Sequence, residues 1–309
     1  MKRRMLLAAL ATPALAQTST IRIISPYTAG GASDILGRLA GQAIGEALGV
    51  TVVVENRTGA GGNLGAEAVA RAAPDGQTFL VMAAAHAANA SLYRSLPFHV
   101  LRDFAPVVVI GVVPNLLSVH PGMPARDVAE FIAFAKAQAN GITFGSAGVG
   151  TIPHLAMELL RHRAGFQATH VPFRGSAPAV TEVVAGRVQS MLENLPPQAQ
   201  HVRAGTLRAL GVSTSARVPD FPDIPAIAET LPGYEALAWQ SLAAPAGTPP
   251  AVIRRVGEAV LAATAARATQ LRGQGFIPGT IGPDSFPAFL RAEVEKWAEA
   301  VRISGATAE

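Results

Sequence analysis

The 309-residue chain has no cysteine, three tyrosines, two tryptophans and only 15% charged residues. Without cysteine there are no disulfides and no thiolate metal site, and no N-terminal cysteine can carry a lipid anchor. The seven histidines include no His-x-x-x-His pair with a third ligand, so neither a metal nor another cofactor is expected. Long apolar runs are also missing. The longest outside the N-terminus, Ala105 to Leu117, is interrupted by Pro106, Gly111 and Pro114 and falls short of the roughly 20 residues of a membrane-spanning helix; it reads as buried strands. Charge of one sign is scarce as well. The formal charge is +4, and Lys2, Arg3 and Arg4 supply three of it, which leaves +1 (4 − 3) for the rest. So neutral a chain carries no electrostatic footprint for nucleic acid, and no such partner is expected.

Half of the residues are hydrophobic, which describes a well-buried globular protein long enough for two medium lobes. The first sixteen residues have the three parts of an export leader. Lys2-Arg3-Arg4 is basic, Met5 to Ala11 is apolar, and Ala14-Leu15-Ala16 is a small-x-small cleavage site. Cleavage is expected near Ala16. The Arg3-Arg4 pair leaves open whether the general or the twin-arginine route is used.

Beyond the leader, β-like runs alternate with Ala/Leu-rich helical runs. Ile21–Ile24, Thr51–Val54 and Phe79–Met82 read as strands, with helices over 33–48 and 64–72 between them. A second alternating set runs from Asp127 to Val212, and the tail, 251–266 and 283–303, is helical. This order predicts an α/β fold of mostly parallel sheets covered by helices, with ligands bound at the carboxyl ends of the strands. Trp297, beside Val294 and Val301 on the last helix, reads as a packing residue. Asn115–His120 and Ala238–Pro245 are candidates for two extended segments crossing between lobes. The expected organisation is therefore residues 17–117 in lobe 1, 118–238 in lobe 2, and 239–309 returning to lobe 1, with closure about the crossing strands.

Several loops follow strands and open helices. Ser25-Pro26-Tyr27-Thr28-Ala29-Gly30-Gly31-Ala32-Ser33-Asp34 has the glycines and helix start of an anion site. Gly145-Ser146-Ala147-Gly148-Val149-Gly150-Thr151-Ile152-Pro153-His154 repeats that design, with Thr151 placed as N-cap and Pro153 in the first turn. A third loop, Thr58-Gly59-Ala60-Gly61-Gly62-Asn63-Leu64-Gly65, nearly matches a dinucleotide fingerprint. Its third glycine comes one residue late, and no acid ends the next strand, so it reads as a structural turn. Gly-x-Ser-x-Gly does not occur around Ser146, and no spacing pairs His86, His154 or His170 with a serine. An α/β hydrolase, whose triad can follow any chain order, is the enzyme alternative. The segments after other strands supply His86, Asn89, Arg174 and Asn194 as further polar candidates.

Taken in order, several segments resemble one family. They are Pro26-Tyr27-Thr28-Ala29-Gly30-Gly31-Ala32-Ser33-Asp34, Val54-Glu55-Asn56-Arg57-Thr58-Gly59-Ala60-Gly61-Gly62-Asn63, Ala73-Pro74-Asp75-Gly76, Gly148 to Leu155, Val171-Pro172-Phe173-Arg174-Gly175, Glu193-Asn194-Leu195-Pro196 and Ala244 to Pro249. Together they resemble the extracytoplasmic solute receptors of tripartite tricarboxylate transporters, the Bug or TctC type. The resemblance implies a type II periplasmic-binding-protein fold, two α/β lobes joined by a two-stranded hinge. It implies no catalysis, a periplasmic location and a small carboxylate held in the interlobe cleft. It also implies delivery to the membrane permease subunits of such a transporter, by a receptor expected to be a monomer. The ligand contacts it implies are Tyr27, Ala29, Gly30, Gly31, Ser146, Gly150 and Thr151, with His86, Asn89, Arg174 and Asn194 on neighbouring loops. The chain departs from the family where Asp is frequent and Glu193 stands, and at Ala238-Trp239-Gln240-Ser241, both expected to shape the distal half of the cleft. A receptor reporting to a sensor kinase would present the same cleft.

Overall fold

The computed structural model describes residues 20–308, so the expected leader lies outside the described residues. The first unit is β1 (Thr20–Ser25), α1 (Ala32–Leu48), β2 (Thr51–Asn56), α2 (Asn63–Ala70), β3 (Thr78–Ala83) and α3 (Ala84–Leu92). The long strand β4 (Phe104–Val119) then leads to α4 (Val128–Ala137), β5 (Ile142–Ser146), α5 (Ile152–Ala164), β6 (Ala168–Pro172), α6 (Ser176–Val184), β7 (Ser190–Asn194), α7 (Leu195–Arg203) and β8 (Arg208–Val212). The return comprises α8 (Ile227–Thr230), β9 (Leu237–Pro245), α9 (Pro250–Ala266), α10 (Ala268–Gly273), β10 (Ile277–Pro278) and α11 (Phe286–Ser304).

The sheet runs β2-β1-β3-β9-β4-β7-β5-β6, with β8 and β10 also on β4. β2, β1 and β3 are parallel, as are β6, β5 and β7, while β9 and β4 are antiparallel to each other. β4 is shared: residues 104–114 pair with β9, and residues 115–119 pair with β7 and β8. Two α/β units thus hang on one antiparallel pair of strands. The expected run of strands over 105–117 is one 16-residue strand, whose Pro106 falls at a register irregularity.

Local packing explains these elements. In α1, Leu36, Ala40, Ala43 and Ile44 recur at helical spacing and are buried. Gly41 lets this helix lie close on the sheet, since a Cβ there would stand 3.3 Å from both Val52 and Val54. On the C-terminal helix, Trp297 is fully buried, as its apolar neighbours predict. Its indole N–H and that of Trp239 on β9 donate to the same Glu293 Oε2, at 2.9 and 2.7 Å, and Lys296 also pairs with Glu293. α11 packs on both α3 and α5, so one helix braces the two units.

Two segments differ from expectation. Residues 85–89, read as a loop after a strand, lie within α3. Five of its nine residues are alanine, the strongest helix former, but no capping residue announces its start. The sequence reads as a helix over 198–204, yet α7 begins at Leu195, because Pro196 suits a first helical turn, where its missing N–H costs nothing. Among the described residues no helix is long and apolar enough to cross a membrane.

Candidate functional site

A cleft of about 250 Å³ lies between the units. The starts of four helices meet there. Ala32 and Ser33 open α1, Ala84 and Ala85 open α3, Ile152 and Pro153 open α5, and Asn194 is the N-cap of α7. Tyr27, Ala147 and Thr151 complete the loops, and Ala238 and Gln240 of β9 form the hinge wall. Each helix start carries a partial positive charge, and those of α1 and α3 present unpaired amides, so the cleft favours an anion although among the described residues no cationic side chain lines it.

The first loop is held from behind. Asp34 is buried and accepts the Gly30 N–H at 3.0 Å, Arg38 Nη2 at 2.9 Å and Asn56 Nδ2 at 2.9 Å. The Arg38 guanidinium, with these other donors, lowers the Asp34 carboxyl to about 2. The Gly30 amide is therefore committed within the chain. Gly31 is the N-cap of α1, in extended geometry and without a side chain, so the first-turn amides of α1 are uncapped. Ala29 and Gly30 are exposed at the loop tip and Gly31 is half-buried; none of the three lines the enclosed cleft. Ser33 Oγ donates to Gln240 Oε1 at 2.6 Å, which ties this helix start to the hinge and leaves the Gln240 NH₂ as a donor.

The third loop is a structural turn, as the late glycine implies, and three candidate residues serve it. Tyr27 donates its hydroxyl to the Gly61 carbonyl at 3.2 Å. Asn89 Nδ2 donates to that carbonyl at 3.1 Å and to Asn63 Oδ1 at 2.8 Å. His86 is fully buried. Its Nδ1 accepts the Ala83 N–H at 3.0 Å, its Nε2 faces the Gly62 carbonyl at 3.4 Å, and burial lowers its pKa. The structure therefore places His86 and Asn89 behind the cleft wall rather than in it, while Tyr27 reaches the cleft. Gly62 has φ 94°, and a Cβ there would lie 3.0 Å from the Tyr27 hydroxyl and 3.1 Å from His86 Nε2, so only glycine fits the contact.

The second loop also turns inward. Ser146 is 0% exposed; its Oγ lies 2.6 Å from His170 Nε2 and accepts the Gly148 N–H at 3.1 Å. A serine–histidine pair thus exists that no sequence spacing revealed, formed because Ser146 and His170 lie on the parallel neighbours β5 and β6. Buried, with its oxygen taken, this hydroxyl offers nothing to a substrate. His170 stacks on Phe144 and, at 3.9 Å between centroids, on His154. Burial lowers His154 to about 3 and His170 to about 4, so both are neutral near pH 7. His154 Nδ1 accepts the Gly150 N–H at 3.1 Å, which commits that amide. Thr151 lines the cleft, and its Oγ1 donates to the Gly148 carbonyl at 2.7 Å. Arg174 is exposed, takes part in no ion pair among the described residues, and does not line the cleft. Of Ala238–Ser241, only Ala238 and Gln240 face the cleft. Strand alternation turns Trp239 and Ser241 to the opposite side, toward Phe286 and the Met82 carbonyl.

Glu193, the residue that departs from the family pattern, is 0% exposed directly behind the cleft. Its carboxylate accepts the Ala147 N–H at 3.0 Å and the Asn194 N–H at 2.9 Å. Burial outweighs these bonds and raises it to about 7. The folded protein thus holds this proton more tightly than the unfolded chain, and ionisation opposes folding. Glu193 should subtract stability progressively as the pH rises from about 4.5 through about 7. His154 and His170 act oppositely, adding stability as the unfolded chain loses its histidine protons toward pH 6.5. Comparison by urea unfolding of the wild type with Glu193→Gln cancels the histidines. The stability difference should shift steadily in the variant's favour across that window; a pH-independent difference would refute the assignment.

A cleft between two α/β lobes on a two-stranded hinge, with helix starts aimed into it, defines a solute-binding receptor of the type II periplasmic-binding-protein class. Residues 36–304 match the model of the tripartite tricarboxylate transporter family receptor, and the chain belongs to that family. It is 35% identical to Protein BugT of Bordetella pertussis over 309 residues, spanning 97% of this chain and 94% of BugT. The structure of R. palustris Rpa4515 with adipate is 34% identical at a TM-score of 0.80, spanning 94% of this chain and 99% of that one. The periplasmic binding protein BugD is 29% identical at a TM-score of 0.75, spanning 94% and 99%. Receptors of this family are periplasmic and work with transporters.

Ala238 and Gln240 lie in a segment expected to shape the cleft, whereas Ala83–Ala85, Ala147 and Ile152 were not among the expected contacts. The one available signal was negative, a helix start after a strand with no polar cap.

Proposed function

We propose that this receptor captures a small carboxylate in the interlobe cleft, on the uncapped amides of α1 and α3, and delivers it to the permease subunits of a tripartite tricarboxylate transporter. The observation that carries this is the convergence of helix starts on a cleft without cationic side chains. The adipate held by Rpa4515 supports the ligand class. Tyr27, Thr151 and Asn194 are the candidate side-chain contacts, together with Ser33 and Gln240. We read residues 17–117 and 239–309 as one lobe and 118–238 as the other. The switch of β4 partners between Pro114 and Asn115 supports a division close to that boundary. The buried Ser146 supports a binding role without catalysis. The N-terminal pattern Lys2 to Ala16 supports export with cleavage near Ala16, and the ligand would close the lobes by binding the closed form more tightly.

Mono- and dicarboxylates of three to eight carbons, screened by thermal shift on the mature protein, test the ligand class. At a hundredfold excess over its dissociation constant, a true ligand should add about 2.7 kcal/mol of stability. Failure of every carboxylate to move the transition would end the proposal.

A further inference from the structure

The four helix starts at the cleft are not equivalent. In lobe 1, α1 and α3 follow Gly31 and Ala83, which have no capping side chain, and none of their first-turn residues is proline. In lobe 2, α5 has Pro153 in its first turn, and Thr151 caps the His154 amide. α7 opens Leu195-Pro196-Pro197, so two of its first three residues have no N–H at all. Two further lobe 2 amides beside the cleft, those of Ala147 and Asn194, are already bound to Glu193, which leaves that of Ile152 at the start of α5. Lobe 1 is thus rich in free donors, while lobe 2 is poor in them and holds a carboxylate of its own.

We infer that Glu193 is a specificity-determining residue: it occupies the anion position of lobe 2, so the cleft accepts ligands with one carboxylate, seated on lobe 1, and an uncharged distal end. This rests on the carboxylate reading above and narrows it. The distal wall fits such an end, because Ala147, Ile152, Pro153 and Ala238 are small or apolar, and the Asn194 Oδ1, buried without a partner, would accept a hydrogen bond from an amide or hydroxyl. Among the described residues no charged group pairs with Glu193. The titratable groups on elements packed against β7 are His154, Glu158, Arg161, His162 and Arg163 on α5, Glu182 on α6, and His201 and Arg203 on α7. His170 lies one strand away on β6. None forms an ion pair with Glu193. A second ligand carboxylate would therefore meet a like charge in a partly desolvated site, and rejection of at least about tenfold is the expected scale.

The test is a length-matched pair, adipate and its monoamide adipamate, titrated calorimetrically into the mature wild type and Glu193→Gln. The wild type should bind adipamate at least about tenfold more tightly than adipate, and the ratio should fall toward one in Glu193→Gln. Should the variant fail to fold, the wild type alone decides, because the preference should widen from pH 6 to pH 8 as Glu193 loses its proton. A purely structural glutamate would change both affinities alike and leave the ratio fixed. Equal or tighter binding of adipate by the wild type overturns the inference and points to a second clamp, for which the exposed Arg174 is the available cation. If neither this pair nor succinate and succinamate binds, the carboxylate reading itself falls and the inference with it.

Discussion

Gly31→Asp should abolish carboxylate binding without harming the fold. Gly31 is the N-cap of α1 with φ −79° and ψ 172°, a conformation open to any residue, and a Cβ there would meet only the Thr28 carbonyl, at 3.4 Å. An aspartate at this N-cap would accept a first-turn amide of α1, placing an internal anion where the ligand carboxylate belongs. The gain over a glycine cap is a few tenths of a kcal/mol, so the melting temperature should hold or rise slightly. Affinity should drop at least about a hundredfold, equivalent to roughly 2.7 kcal/mol, because a charge must be expelled or opposed. Gly31→Asn, which caps without charge, should lose less. Calorimetric titration together with a thermal melt separates these outcomes, and a Gly31→Asp protein that binds normally would exclude the α1 amides from the site.

The second large effect concerns the brace behind the hinge. Glu293 is buried on α11 and accepts the indole N–H groups of Trp239 and Trp297, with Lys296 beside it. Glu293→Leu would leave two buried donors without a partner at about 1–3 kcal/mol each, so a loss of roughly 3 kcal/mol is expected. For a chain of this size that lowers the melting temperature by roughly 6–10 °C. Trp239 stands between Ala238 and Gln240, the two hinge residues that line the cleft, so ligand affinity should weaken as well. A melt within one degree of wild type would show that the indoles find other partners.

The fold was largely legible because it is written in periodicity and punctuation. The β-α-β order of the first hundred residues, the strands of the second unit and the long last helix all follow from apolar spacing. α3 escaped because alanine-rich segments show no amphipathic contrast and Ala83 gives no cap signal. The site was legible in its loops but not in its directions. Glycines at 30, 31, 148 and 150 mark where the backbone turns sharply, yet which amides remain free depends on Asp34, His154 and Glu193, whose side chains reach back from neighbouring elements. The Ser146–His170 pair depends on strand register, and the inward rotation of His86 and Asn89 depends on a helix the sequence did not announce. Glu193, noted only as a departure from a family pattern, proved the most consequential because burial, not sequence, gives it its charge environment.

The most direct measurement of the central claim is a ¹H–¹⁵N titration of the mature protein with adipamate. The account predicts that the amides of Ala32, Ser33, Ala84 and Ala85 shift together and saturate with one dissociation constant, while those of Ala147 and Asn194, held by Glu193, move little. Shifts confined to lobe 2, or unchanged amides at the starts of α1 and α3 under saturating ligand, would contradict it.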